Sequence, residues 1–106
     1  MSAIKESDWK LFRRFHPIAL ARFCERVLKD VEAIISKSSN AHHERFRELN
    51  KLVSEKDEDL GRLFYDFRRS TALNQLSLIC SLSLLTDDEI AHFSPDAQKW
   101  LASNQE

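Results

Sequence analysis

Two adjacent pairs of arginines are the residues of this sequence whose type and spacing most readily suggest binding chemistry. Arg13–Arg14 and Arg68–Arg69 each lie next to a large apolar block. Guanidinium groups form bidentate contacts with carboxylates and phosphates. If the helices that carry the two pairs lie side by side, the pairs share one surface with nearby aromatic and imidazole groups. The predicted partner-binding surface consists of Trp9, Arg13, Arg14, His16, Tyr65, Arg68 and Arg69.

An alternative interpretation gives these arginines a structural role. One arginine of each pair would then cap a helix or bridge to Asp66, Asp59 or Glu58, and the other would be solvated. Exposed ion pairs of this kind contribute little to stability and are common. The sequence leaves both interpretations open.

The four histidines do not form a pattern typical of catalysis or metal binding. His42 and His43 are adjacent, and side chains of adjacent helical residues point about 100° apart, so both cannot ligate one ion. The sequence has no H-E-x-x-H motif, and no acid–base companion lies close to His16 or His92. We therefore predict no metal, no cofactor and no catalytic residue, and an enzyme is disfavoured.

The two cysteines are predicted to be reduced thiols. Cys24 and Cys80 both lie on apolar faces of predicted helices, where a thiol acts as a small buried hydrophobe. The N-terminal segment has no apolar signal-peptide core, so the protein is expected in the cytoplasm, where disulfides are rare.

The element expected to position these groups is residues 70–85, sixteen residues without a formal charge. Alternating Leu and Ser favour a strand by their period of two, but Leu73, Leu76 and Ile79 share one helical face. No other segment offers a strand partner, so we predict a central apolar helix at about 68–85. The stretch is too short and too polar to cross a membrane.

Breaking and capping residues divide the rest of the chain. The His16–Pro17 step predicts a break or a kink between a helix at 8–15 and a longer amphipathic helix at 17–37. A thinner amphipath predicts a helix at 41–56. It is followed by a predicted loop at 57–61, in which Gly61 would supply either a positive φ or close backbone packing. A capping box opens at Thr86, and Pro95 is placed to begin the last helix.

The fold class that follows is an all-α, compact single-domain helical bundle of four to six helices. Residues 1–106 form one domain, and 1–6 and 103–106 are expected to be frayed termini. The net charge of −1 gives no global field of the kind that a non-specific nucleic-acid binder carries. The aromatic residues exceed what a core of this size must use, and an excess favours an apolar patch for a homodimer or a partner helix.

Several short blocks give the chain a resemblance to a known family. They are residues 7–13 (SDWKLFR), 67–70 (FRRS), 84–86 (LLT) and 93–94 (FS). Together they resemble a family of small bacterial all-helical proteins, about 100 residues long and of unassigned function. Some members are mislabelled as transporter components. The resemblance implies an all-helical single domain and supplies no catalytic residues.

Three functions remain open. The first is a non-enzymatic binding or regulatory module that contacts a protein partner or a second copy of itself. The second is a nucleic-acid-associated protein, and the third a small enzyme without a recognisable motif. The arginines that would contact phosphates in the second case are Arg13, Arg14, Arg22, Arg26, Arg68 and Arg69.

Overall fold

The computed structural model describes residues 4–38 and 41–103, and in these residues every regular element is a helix. The all-α bundle predicted from the sequence is confirmed. Its five helices, in chain order, are α1 (Glu6–Ser36), α2 (His42–Phe64), α3 (Arg69–Ser81), α4 (Asp87–Ile90) and α5 (Pro95–Ser103).

Helix α1 is continuous for 31 residues, so the predicted break at Pro17 is wrong. Proline in a helix interior removes one backbone hydrogen bond and costs about 3 kcal/mol. Here the cost is outweighed by packing, because Phe12, Phe15, Ala19 and Phe23 form one buried stripe that runs past the proline on both sides. A break would take half of this stripe out of the core.

Residues 4–6, which lie in the segment predicted to fray, contact the rest of the protein. Ile4 is buried in the core, Lys5 forms an ion pair with Asp96 at 2.9 Å, and Glu6 begins α1. Ser103 ends α5, while residues 1–3 and 104–106 lie outside the described residues. The first described residue, Ile4, is therefore part of the hydrophobic core.

Helix α2 extends through residues 57–61, so the loop predicted there is also wrong. Gly61 is helical and does not have a positive φ. The physical reason lies beyond the glycine, since continuing the helix carries Leu63 and Phe64 into the core. The acidic residues before Gly61 meanwhile stay on the exposed side. Positive φ values occur instead in the turns after α2 and α3, at Asp66 (52°) and Ser83 (57°).

Helix α3 is the central helix that the uncharged stretch predicts, but it spans 69–81 rather than reaching 85. It contacts α1, α2 and α5, and Leu76 and Ile79 are fully buried. The chain then reverses at Ser83, and this turn places Leu84 and Leu85 in the core without helical geometry. The apolar character of the stretch therefore predicted the burial of most of its apolar side chains, with Leu82 as the exposed exception, and it predicted too long a helix.

The last two helices, α4 and α5, begin where the sequence predicted. Thr86 and Glu89 make the reciprocal capping box of α4, with the Glu89 N–H donating to Thr86 Oγ1 at 3.1 Å. Pro95 is the first residue of α5. The N-terminus of α5 is tied to α1, because the backbone N–H and the hydroxyl of Ser94 donate to the Asp8 carboxylate at 2.9 and 2.6 Å.

The molecule is elongated, with extents of 51 × 25 × 25 Å and a radius of gyration of 16.6 Å. A compact chain of this length has a radius of gyration of about 13 Å. The first half of α1, the end of α2 and helices α3–α5 form a body. The rest of α1 and α2 projects from it as a two-helix segment, called here the distal hairpin (27–38 and 41–60). Within these residues Ile34 alone is buried.

The continuity of α1 predicts that Pro17→Ala stabilises the protein. Alanine restores a helical hydrogen bond and removes a steric clash, against a smaller entropic penalty from a freer unfolded chain. We expect the free energy of unfolding, measured by urea titration, to rise by about 1–2 kcal/mol. The matched control is Pro95→Ala, at a first helical position where proline is favourable, and it should not stabilise. An unchanged or lower value for Pro17→Ala would contradict a continuous α1.

Candidate functional site

An aromatic cluster occupies the centre of the surface predicted from the arginine pairs. The His16 imidazole stacks on Phe67 with centroids 3.8 Å apart, and Trp9 and Phe12 contact the same ring at 5.0 and 5.3 Å. His16 Nε2 lies 3.2 Å from the carbonyl oxygen of Phe64. Burial lowers the pKa of His16, which favours a neutral imidazole that donates to this carbonyl. The histidine therefore fastens α1 to the end of α2.

The arginines at the start of α3 are engaged with carboxylates of the same chain. Arg68 Nε lies 2.9 Å from Asp66, in the turn before the helix. Arg69 pairs with Glu6, which holds the start of α3 beside the start of α1. The pairing of Arg68 with Asp66 is the one named by the structural interpretation of the sequence. Both pairs are exposed, and their contribution to stability is small.

The side chains of the first arginine pair, Arg13 and Arg14, point in different directions. Arg13 lies over the Trp9 ring, 6.0 Å from its centroid. Arg14 points away from that cluster and lines a cleft of about 520 Å³ between α1 and α4, together with Lys10 and His92. The four guanidinium groups therefore do not share one surface. Tyr65 is exposed. That the seven residues bind a partner stays a prediction.

Two further arginines, Arg22 and Arg26, close the C-terminal end of α3. Arg26 donates to the carbonyl oxygens of Leu82 and Ser83 at 2.5 and 2.7 Å, and Arg22 donates to that of Leu84 at 2.8 Å. These carbonyls belong to the turn that follows α3, where no helical N–H donor is available to them. These contacts span 56 to 62 positions of sequence, so no local pattern announced them.

Arg22 also forms a two-pronged ion pair with Glu89, at 2.7 and 3.0 Å. Glu89 accepts a further hydrogen bond from the backbone N–H of Thr86 as part of the α4 capping box. The guanidinium, followed by this backbone donor, lowers the pKa of Glu89 to about 2. Two of the arginines considered as phosphate contacts therefore have intrachain acceptors.

The two cysteine thiols lie in different surroundings. Burial raises the pKa of Cys80 to about 11, so it is a thiol rather than a thiolate at neutral pH. Cys24 is exposed, and the prediction that it is buried is wrong. The helix face that carries it is not covered. Among residues 4–38 and 41–103, no three His, Cys, Asp or Glu side chains converge to hold a metal ion.

That uncovered face forms the most conspicuous apolar surface in the described part of the chain. We call it the hairpin face. On α1 it consists of Cys24, Leu28, Val31 and Ile35, and on α2 of Phe46 and Val53. Two shallow clefts are each lined by residues of both helices, so these residues lie on the same side of the hairpin. Cys24 and Val53 line a cleft of about 160 Å³, and Ile35 and Phe46 line one of about 180 Å³.

The hairpin face lies away from the body. Arg26, which meets the end of α3, is two residues from both Cys24 and Leu28, a separation of about 160° around the helix. The sequence signal was present, because the apolar stripe of this segment includes Leu28 and Ile35 as well as Ile34. That stripe is wider than one neighbouring helix can cover.

Comparison of the chain with models of protein families, with curated proteins and with solved structures found no match. Nor does any helix in the described ranges have the length and apolarity needed to cross a membrane.

The Arg22–Glu89 pair predicts a specific pH dependence of stability. The pKa of Glu89 falls from 4.5 to about 2 on folding, so its contribution is complete above pH 4.5 and is lost as the pH falls towards 2. Glu89→Gln should lower the free energy of unfolding at neutral pH by about 1 kcal/mol, since the pair is partly solvated. Urea titrations should show this gap closing near pH 2.

Asp88→Asn is the matched control, because Asp88 has neither a hydrogen bond nor an ion pair among the described residues. At neutral pH its effect on the free energy of unfolding should be smaller than that of Glu89→Gln. A gap for Glu89→Gln that is as large near pH 2 as at neutral pH would contradict the role given to the ion pair.

Proposed function

We propose that this protein is a non-enzymatic binding module whose protein contacts are made by the hairpin face. The observation that carries the proposal is the exposure of four large apolar side chains on one side of two rigid helices. Leu28, Ile35, Phe46 and Val53 are 62%, 58%, 67% and 48% exposed. Single exposed apolar residues are ordinary in proteins, whereas a contiguous group of them marks an interaction site.

The energetics favour association at this face. Burying one such side chain completely contributes about 1.5–3 kcal/mol, so a partner that covers the group gains several kcal/mol. The cost of ordering is low, because the side chains project from formed helices rather than from loops. The long, shallow shape between two helices suits a helical partner whose own apolar stripe completes the packing.

The charged surfaces support this choice over nucleic acid. Four of the six arginines considered as phosphate contacts, Arg22, Arg26, Arg68 and Arg69, have acceptors within the chain. The net charge is −1, and binding driven by phosphate contacts depends on an excess of cations. A protein partner requires no such excess.

The proposal predicts that a photo-reactive group on the hairpin face captures a protein in the native host. We would replace Phe46 with p-benzoylphenylalanine and irradiate living cells. Leu82, which is 42% exposed at the end of α3, provides the matched apolar control away from the face. Covalent adducts, identified by mass spectrometry, are expected for position 46 and not for position 82. Absence of any adduct at position 46, or equal capture at both, would contradict the proposal.

A further inference from the structure

We infer that the cleft between α1 and α4 binds a small anion that carries carboxylate or phosphate groups. The cleft has a volume of about 520 Å³, which lies in the range typical of small-molecule sites. It belongs to the body and shares no residue with the hairpin face, so this site is independent of the proposed function. Its lining includes Lys10, Leu11, Arg14 and Phe15 of α1, and Asp88 and His92 on the side of α4.

The basic side chains of the cleft have no partner in the described part of the chain. Lys10 and Arg14 lie one helical turn apart on α1, and neither forms an ion pair or a hydrogen bond there. The same holds for the imidazole of His92. Most other Lys and Arg side chains in these ranges are engaged. Two like charges one turn apart repel each other, and an anion between them replaces this repulsion with two charge-assisted hydrogen bonds.

The acidic side chains of the cleft do not neutralise these cations. Glu89 also lines the cleft, but both of its carboxylate oxygens are held by Arg22, at 2.7 and 3.0 Å. Asp88 is unpaired, and among the described residues no ion pair connects it to the cations or to the imidazole. The lining therefore has two cations and an imidazole against one unpaired carboxylate. This balance favours an anionic ligand, whose affinity Asp88 reduces by repulsion.

The apolar part of the lining is fixed in place before a ligand binds. Phe15 is buried and packs against Phe93 with ring centroids 6.0 Å apart, and Leu11, one turn earlier, is half-buried. The Arg22–Glu89 pair holds α4 against α1 on the same side of the body. Charges beside apolar surface are less screened than charges in open water, which strengthens their contact with an anion.

The size of the charged group favours a small ligand over a nucleic acid. Two permanent cations within one turn of helix match one or two anionic groups, whereas nucleic acids are bound by basic groups that follow the phosphate backbone. Arg13, which could extend the group along α1, lies over the Trp9 ring instead. The ligand is therefore a carboxylate or a phosphate on a small frame.

Citrate and inorganic phosphate are the two probes that test this site. Each is titrated into the purified, isotope-labelled full-length chain at constant ionic strength, set with sodium chloride, and two-dimensional NMR reports which amides respond. We expect saturable shifts of residues 7–15 and 87–92 with at least one probe, and none in the distal hairpin. No saturable shift with either probe, or equal shifts in the distal hairpin, would overturn the inference. Displacement of the bound probe by a single-stranded oligonucleotide would overturn the small-ligand class.

Charge variants test which side chains hold the anion. Lys10→Gln and Arg14→Gln should each weaken binding of the probe about tenfold, because each removes one charge-assisted hydrogen bond. The matched control is Arg47→Gln, which removes an exposed arginine of the distal hairpin that is likewise unpaired among the described residues. Its affinity should stay within about twofold of the wild type. Asp88→Asn should tighten binding about threefold by removing a like charge.

Urea titrations separate lost binding from lost structure. Because neither Lys10 nor Arg14 has a partner in the described part of the chain, both variants should keep the unfolding midpoint of the wild type. Equal weakening by Arg14→Gln and Arg47→Gln would indicate a general effect of net charge and would overturn the site. Weaker binding in Asp88→Asn would equally contradict an anionic ligand.

Discussion

The architecture depends on a difference in length between helix α1 and the helices that pack against it. Helix α1 has 31 residues and spans about 46 Å, whereas the segment after α2 supplies only α3, α4 and α5 to cover it. The first half of α1 is enclosed by these helices and by the end of α2. The second half has α2 as its single neighbour, and one helix cannot cover an apolar stripe as wide as the one that includes Leu28, Val31 and Ile35. The elongated shape and the hairpin face both follow from this constraint.

Polar contacts decide which half of α1 is covered. Asp8, only 3% exposed, holds the start of α5, and Arg22 and Arg26 hold the end of α3. Charged side chains usually lie at the surface, but these three form hydrogen bonds that connect α1 to the other parts of the body. Beyond Arg26, no comparable contact between α1 and the body is found among the described residues, and Leu28 and Ile35 stay exposed while Ile34 is buried. In the body, charged side chains therefore form contacts between helices, whereas in the distal hairpin apolar side chains form part of the exposed surface.

The sequence predicted what depends on local chemistry. The all-α class, the Thr86–Glu89 capping box and the start of α5 at Pro95 are confirmed, since each rests on residues within one turn of helix. The predictions at Pro17 and at 57–61 failed because tertiary packing overruled local signals. The prediction at Cys24 failed for the opposite reason, since no described element packs on the face that carries it. The stripe of Phe12 to Phe23 keeps α1 whole, and burial of Leu63 and Phe64 extends α2. The partners of Arg22 and Arg26 lie too far along the chain for any pattern of spacing to reveal.

The distal hairpin exposes apolar side chains along its length, whereas the body encloses its own core. Amide hydrogen exchange of the purified chain measures the resulting difference in local stability residue by residue. Amides of residues 27–38 and 41–60 should be less protected than those of the body around Leu76 and Ile79. Equal protection in the two parts would contradict the division of the chain into an enclosed body and a hairpin with one uncovered face.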